Sequence, residues 1–387
     1  MIELFFVFII GIIFYCYAGY PVILWVMARL FGRSVYKDKC YLPAVSVIVS
    51  VYNEEDVILR RLNNLLNLDY PSDKIEILVA SDGSTDRTNE IIRSFSDSRL
   101  RFKENASRSG KMAVLNDLVS QANNDIIVFA DARQVFAATA IRELVANFAD
   151  PDVGCVSGEL VFLDEGGPTA RGVGLYWRYE KFIRKQESAL SSMLGATGAI
   201  YAIRKALFHP IPENIILDDV FVPLKIIQKG YRAIFDVSAK AFDRAADNPK
   251  EEFIRKVRTL AGNYQILCME PCMLNPFKSP IAIQLFSHKF LRLVVPFMMV
   301  IAFLLNLFLA MDNLFFRWIL LMQIVFYGLA VIGLLLKDKK TGILSLVARF
   351  CYIPYVFCLL NFSAVVGLLR FILKTEHVKW EKARVGR

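Results

Sequence analysis

Histidine is scarce in this chain, three in 387 residues, and none falls in the acidic segments described below, which excludes histidine-based acid/base chemistry. The seven cysteines show no zinc spacing: Cys268 and Cys272 stand as a pair without partners, and the others sit singly in apolar surroundings. They read as reduced core or lipid-facing thiols, not as a metal site or a disulfide framework. There is no internal repeat, no low-complexity tract and no long flexible linker. Gly110-Lys111 lacks the spacing of a P-loop. The net charge of +9 comes without a basic cluster interleaved with stacking aromatics, so no nucleic acid partner is expected. Proximity to an anionic leaflet accounts for the charge better.

Charge is also missing from several long runs, and 55% of the residues are hydrophobic, too many for an ordinary soluble protein of this length. Leu4 to Leu30 is nearly uncharged and long enough to cross ~30 Å of hydrocarbon. It starts beside Glu3 and ends in bulky Trp25 and Met27, unlike a cleaved leader, and Arg29, Arg33, Lys37 and Lys39 follow. The positive-inside rule puts that basic flank, and the segment after it, in the cytoplasm. Phe290 to Met311, Leu314 to Leu336 and Ile343 to Leu373 are further apolar segments. Lys337, Lys339 and Lys340 mark the turn before the last one as cytoplasmic, and Arg349 and Pro354 are expected to interrupt that last one.

Between these ends, Val45 to Val51, Ile75 to Ala80, Leu100 to Lys103 and Ile126 to Phe129 have the β-branched apolar character of strands, mostly buried on both faces. Apolar residues at three-to-four spacing separate them: Val57, Ile58, Leu62, Leu65 and Leu66, then Ile91, Ile92 and Phe95, then Met112, Leu115, Leu118 and Val119. Alternating strand and helix signals predict a doubly wound α/β domain with a parallel sheet. Polar junctions follow three of the strands: Tyr52-Asn53-Glu54-Glu55, Ser81-Asp82-Gly83-Ser84-Thr85-Asp86 and Asp131-Ala132-Arg133. Ligands of such sheets collect outside the carboxyl ends of the strands, so the recurrence points to one shared ligand.

The junctions fit the demands of an activated sugar nucleotide. Glu54 and Asp82 are placed to accept hydrogen bonds from a nucleoside, although Asn53 would equally cap the first helix with Glu54 in its first turn. Gly110-Lys111 opens a helix after a polar loop, where backbone amides and an ammonium converge on phosphate; a solvated lysine is the plain alternative. Leu217-Asp218-Asp219 precedes another helix-like stretch, either as partners of its dipole or with one carboxylate as the base that takes a proton from an acceptor hydroxyl.

Taken in order, VSVIVSVYNEE, SDGSTD, GKMAVLN, FADAR, GATGAIYAIRK, LDD and RKVRTLAGNYQ resemble membrane-bound family 2 glycosyltransferases, the group of hyaluronan, chitin, cellulose and poly-N-acetylglucosamine synthases, from about Val45 to Gln265. The resemblance implies a Rossmann-like GT-A fold that binds a nucleotide sugar and transfers the sugar with inversion, with Asp219 as base. It further implies Asp82, Lys111 and Asp131 on the donor, Gly195, Gly198 and Arg258 along the acceptor path, and Asp131 as ligand of Mg²⁺ or Mn²⁺; Tyr52, Glu54 and Arg133 are expected on the donor beside them, and Asp218 and Arg255 on the acceptor. Three positions depart from the family pattern. Arg133 stands where the second acid of the Asp-x-Asp metal motif belongs, and in the Gln-x-x-Arg-Trp motif Arg255 takes the glutamine position and Thr259 that of the stacking tryptophan that helps hold the acceptor. Trp380 and Arg384 resemble a carboxy-terminal element of some of these enzymes.

The expected layout is therefore a transmembrane helix over 1–31, a cytoplasmic GT-A domain over 41–248, an amphipathic interface segment over 249–283, a transmembrane region over 284–373 and a basic tail over 374–387. In the interface segment, Phe253, Val257, Leu260, Ala261 and Tyr264 share one helical face and Arg255, Lys256 and Arg258 the other, which suits a helix lying on the leaflet. The expected partners are a nucleotide sugar donor, expected to be UDP-linked, a polysaccharide or lipid acceptor, and the inner membrane.

Overall fold

A computed structural model describes residues 1–163, 168–243, 249–336 and 343–375. Lys337, Lys339, Lys340, Trp380 and Arg384 lie outside the described residues, as do the tail beyond residue 375 and the side chain of Arg349. Two compact units are present: Phe31–Leu163 with Arg184–Arg244, and Met1–Leu30 with the described parts of Asp164–Ile183 and Ala245–Glu376.

The first unit is built on one eight-stranded sheet: β1 (Val45–Val51), β2 (Ile75–Asp82), β3 (Leu100–Asn105), β4 (Ile126–Ala130), β5 (Val135–Phe136), β6 (Val153–Phe162), β7 (Ile200–Arg204) and β8 (Arg232–Asp243). Its order is β3-β2-β1-β4-β7-β6-β8-β5. β3, β2, β1 and β4 are mutually parallel, as the alternating pattern predicts. Val45, Val47, Ile48 and Val49 are fully buried, the signature of a strand covered on both faces. β2 runs past the apolar stretch because Ser81 and Asp82 pair with Glu104 and Asn105 of β3, so Asp82 is the last residue of a strand rather than part of a loop.

The other half of the sheet departs from the all-parallel expectation. β7 lies antiparallel between β4 and β6, and β5 pairs antiparallel with β8, which makes the sheet mixed. β7 enters next to β4 with Phe129 opposite Tyr201, and the two rings stack 4.3 Å apart. Such cross-strand aromatic pairs help fix register.

In the other unit, helices over Ile2–Phe31, Ala282–Leu309, Leu314–Leu336 and Phe350–Ile372 are long and apolar enough to cross a membrane. The last belongs to an unbroken helix, Ile343–Ile372, that carries Pro354 inside it, contrary to the expected interruption. Neighbouring helices re-satisfy backbone groups freed by proline, so a packed apolar helix tolerates it. Two π-helical turns, Tyr15–Gly19 and Leu285–Phe290, are tied by a 2.8 Å hydrogen bond between the Tyr15 and Ser287 hydroxyls. Glu180 is buried between Arg292 and His288, the latter 3.2 Å away, so its charge is met by a cation inside the unit.

Helix Pro249–Met269 also lies in this unit. The apolar face expected to lie on lipid is covered instead by helix Ile343–Ile372. Val257 and Ala261 are fully buried, Phe253 stacks on Phe362 and Tyr264 on Phe371. A Cβ on Gly367 would come 3.0 Å from the Ala261 nitrogen, so the two backbones approach closely only because that position has no side chain.

Candidate active site

The cleft residues of the sheet unit come from the ends of β1, β2 and β4 and from the segments flanking β7. At the end of β2, Asp82 is buried and largely occupied by its own loop. One carboxylate oxygen accepts from the Ser109 amide at 2.7 Å and the Ser109 hydroxyl at 2.9 Å, and the other from the Gly110 amide at 2.9 Å. A carboxylate has about four acceptor positions, so about one remains for a ligand. The same bonds hold the polar loop against Gly83, whose backbone has φ +70° and where an added Cβ would sit 2.9 Å from the Arg108 nitrogen. Only glycine fits there.

Asn53 does not cap the first helix. It has φ 52°, and its side-chain oxygen accepts from the Thr85 amide at 2.8 Å, joining the first two junctions, while the helix itself starts at Ile58. Short polar side chains that bond locally tolerate this left-handed conformation. Glu54 is buried beside it. Tyr52 is partly exposed and carries the Arg108 guanidinium 4.0 Å above its ring, a flat cationic platform at the mouth of β1.

Lys111, the first residue of its helix, lies 3.3 Å from Asp131 and 3.4 Å from Asp218, so one ammonium links two acids that are 87 positions apart in the chain. The LDD segment opens helix Asp218–Gln228. Asp218 is buried and Asp219 partly exposed. Burial pushes the Asp219 carboxyl up to about 6 and repulsion from Asp218 adds to this, while Lys111 and Arg184 pull it back. A carboxylate tuned this way is ionised at neutral pH yet more basic than usual, which suits a general base.

Gly195 and Gly198 line Asp219. The Ala196 amide donates to the Asp219 carbonyl at 2.7 Å, and a Cβ on Gly198 would stand 3.2 Å from a carboxylate oxygen of Asp219. Arg133 turns the other way and donates to Asp243 at 2.8 Å, a carboxylate it shares with Gln134. Arg255 and Arg258 belong to the helix unit. There Arg255 pairs with Glu252 at 2.5 Å, and the Thr259 hydroxyl donates to the Arg255 carbonyl at 2.9 Å.

The donor set does not form a protein-only cation cage: among the described residues no group of three metal-ligating side chains comes together. Asp131, the carboxylate expected to meet a metal, is already faced by Lys111. A divalent ion there would need the ligand's own oxygens, which is how Mg²⁺ is commonly bound.

Residues 46–211 match the family described as glycosyl transferase family 2. The chain carries a family 2 glycosyltransferase domain. Among curated relatives, a probable glycosyltransferase, YdaM of Bacillus subtilis, is 24% identical over 88% of this chain and 86% of its own length. The poly-beta-1,6-N-acetyl-D-glucosamine synthase of Staphylococcus aureus is 24% identical over 58% of this chain and 56% of its own length. Glycosyltransferase AglE of Haloferax volcanii is 29% identical over 50% of the chain and 64% of its own length. Among solved structures, the mannosyltransferase PcManGT of Pyrobaculum calidifontis, in complex with GDP-Man and Mn²⁺, superposes with a TM-score of 0.75 at 22% identity, over 96% of this chain and 99% of that one. That likeness supports the GT-A fold of the glycosyltransferase domain.

Three residues of the glycosyltransferase domain stand near the acid cluster without having been singled out in the sequence. Arg184 donates to Thr197 at 3.1 Å and acts electrostatically on Asp219. Arg61 is buried over the Phe136 ring at 4.1 Å; burial drops its pKa to about 9 against the opposing pull of Asp131. Tyr201 is fully buried on β7. Arg61 reads in sequence as the polar side of an amphipathic helix and Tyr201 as one apolar strand residue, so neither gives a signal before the fold is known.

Proposed function

We propose that the domain transfers a sugar, with inversion, from a nucleotide diphosphate sugar to a growing polysaccharide. The observation that carries this reading is the convergence of Asp131, Asp218 and Asp219 on Lys111, with Asp219 raised to about 6. In the proposed reaction the acceptor hydroxyl attacks the anomeric carbon, its proton passes to Asp219, and the carbon–oxygen bond to the diphosphate breaks. Lys111 stands by the departing phosphates. The Ser109–Gly110 loop, held by Asp82, shapes the nucleoside side, with the Tyr52–Arg108 pair as a stacking surface. A Mg²⁺ or Mn²⁺ ion held by Asp131 would neutralise leaving-group charge when bound. Arg133 is a cation at the same junction, and engaging phosphate would require it to release Asp243.

The donor we expect is UDP-linked. The synthase named among the relatives makes poly-N-acetylglucosamine, whereas the fold neighbour was solved with GDP-mannose, so a donor screen must include both. We propose that the reaction takes place at the inner membrane with the domain facing the cytoplasm, a reading supported by the four apolar helices and the basic flank after the first.

A second reading, single transfer to a lipid acceptor such as polyprenyl phosphate, diacylglycerol or ceramide, is favoured by Thr259, whose hydroxyl bonds to its own helix and which offers no aromatic face to a sugar chain. Incubating the purified full-length protein in lipid with radiolabelled UDP-N-acetylglucosamine or GDP-mannose separates the readings. Label in polymer supports the first, and one sugar on extractable lipid the second. No nucleoside diphosphate release from any sugar nucleotide in a full screen would remove both.

A further inference from the structure

The Tyr201 hydroxyl is fully enclosed and has no hydrogen-bond partner among the described residues, which is rare for a buried polar group. Its surroundings are specific. Tyr201 pairs across the sheet with Phe129, their rings are parallel within 1°, and directly paired residues share a face. Phe129 and Asp131 lie two positions apart, with Ala130 as the last residue of β4 between them, so the period of two carries Asp131 to that same side. β7 also follows the turn that brings Gly198 against Asp219. The ring thus neighbours the acid cluster, whose carboxylates act electrostatically on its hydroxyl. After burial itself, Asp218 and Asp219, then Cys155 and Asp131, raise the pKa of the hydroxyl, so it keeps its proton and remains a donor at working pH.

We propose that Tyr201 is a positioning residue for the base: in the substrate-bound state its hydroxyl donates a hydrogen bond to the ionised Asp218–Asp219 pair and fixes the orientation of the Asp219 carboxylate toward the acceptor. This rests on the assignment of Asp219 as base. The groups that bear on the pair are Lys111 from the helix after β3, Arg184 from the helix before β7, and Asp131 after β4, with buried Cys155 on β6 facing Tyr201. Lys111 and Arg184 supply charge. The phenol supplies a neutral donor from a buried, dry position, where a hydrogen bond to a carboxylate is strong.

The test is Tyr201→Phe in the full-length protein, assayed with UDP-N-acetylglucosamine and GDP-mannose. The expected result is a thermal midpoint equal to or above that of the parent, since the variant removes an unpaired buried hydroxyl and keeps the stacked ring. Donor KM should stay within about twofold while kcat falls about 10- to 100-fold, as for an interaction made only in the transition state. The acid limb of kcat, which reports the substrate-bound complex, should move up by about half to one pH unit, because a donor to the ionised pair is gone. p-Aminophenylalanine at 201, which restores a donor in the para position, should recover most of the loss. Unchanged kcat and pH profile in Tyr201→Phe would overturn the inference. So would a thermal midpoint lowered by more than about 4 °C, which would mark the hydroxyl as structural, or failure of p-aminophenylalanine to rescue. The base assignment is judged separately by Asp219→Asn: if that variant is dead and Tyr201→Phe is normal, only the role of Tyr201 falls.

Discussion

The two sides of the cleft treat their carboxylates in opposite ways. On the β2 side, Asp82 is almost saturated by three donors from its own loop. On the β7 side, Asp219 is raised by burial and by Asp218, and the charges of Lys111 and Arg184 pull it back only in part. A saturated carboxylate holds a shape, and an under-satisfied one holds reactivity. The GT-A domain therefore separates rigidity from chemistry, with Lys111 joining the two by reaching from the loop that Asp82 organises to Asp131 and Asp218.

The sharpest way to break this contrast is Asp219→Asn. Loss of a general base should lower kcat by roughly 10²- to 10⁴-fold, measured by nucleoside diphosphate release with saturating donor. Stability should move the other way. The folded pKa of about 6 lies above the ordinary value of 3.8, so the folded state resists ionisation and loses stability as pH rises through that window. The variant should accordingly melt higher than the parent above about pH 6 and alike below about pH 4. A variant that turns over normally would end the assignment.

Removing the link between the sides comes next. Lys111→Ala should cost roughly 10²-fold in kcat/KM, the size of losing one charged stabiliser of the leaving group. It should also raise the acid limb further, because Lys111 is the first group that lowers Asp219. The same logic predicts the parent profile: kcat/KM should fall about tenfold per unit below about pH 6 and be flat above it. An acid limb below pH 5 would mean that the base is not Asp219.

The contrast between sides is also a contrast in legibility. The β1, β2 and β4 junctions could be read because parallel buried strands are continuous apolar runs, and each polar residue after one stands out. The β7 side could not. β7 is five residues that join the sheet antiparallel, and nothing local in GATGAIYAIRK says that Tyr201 will lie over Phe129 or that Gly198 will face Asp219. Those are long-range pairings set by the crossover. Asp82 stood out in the sequence as the acid that ends an apolar run, but not as the anchor of the Ser109–Gly110 loop, since hydrogen-bond partners 27 and 28 positions away are invisible to motif spacing. The amphipathic pattern of Pro249–Met269 was real, but periodicity reports that a face is covered, not whether lipid or another helix covers it.

On the shaping side, Asp82→Ala should leave the ammonium and the base in place while freeing the loop. The expected result is a donor KM raised about 10-fold with kcat reduced much less, read from steady-state titration of the donor. If kcat fell as far as in Asp219→Asn, the two sides would not be separable and the contrast would be wrong.

The smallest and most local probe is Gly198→Ala. Its Cβ would stand 3.2 Å from a carboxylate oxygen of Asp219 and 3.5 Å from the Asp219 Cβ, tighter than ordinary contact but short of a clash. The carboxylate must yield by a few tenths of an ångström. Because about 1 Å of misplacement can cost about 10²-fold, a displacement of that size should lower kcat about three- to fivefold. Donor KM should not change, since the nucleoside loop is anchored on the other side by Asp82. A loss confined to kcat would show that the segment before β7 sets the geometry of the base. A loss confined to donor KM would mean that the glycine lines the donor pocket instead, and the acceptor role of Gly195 and Gly198 would have to be abandoned.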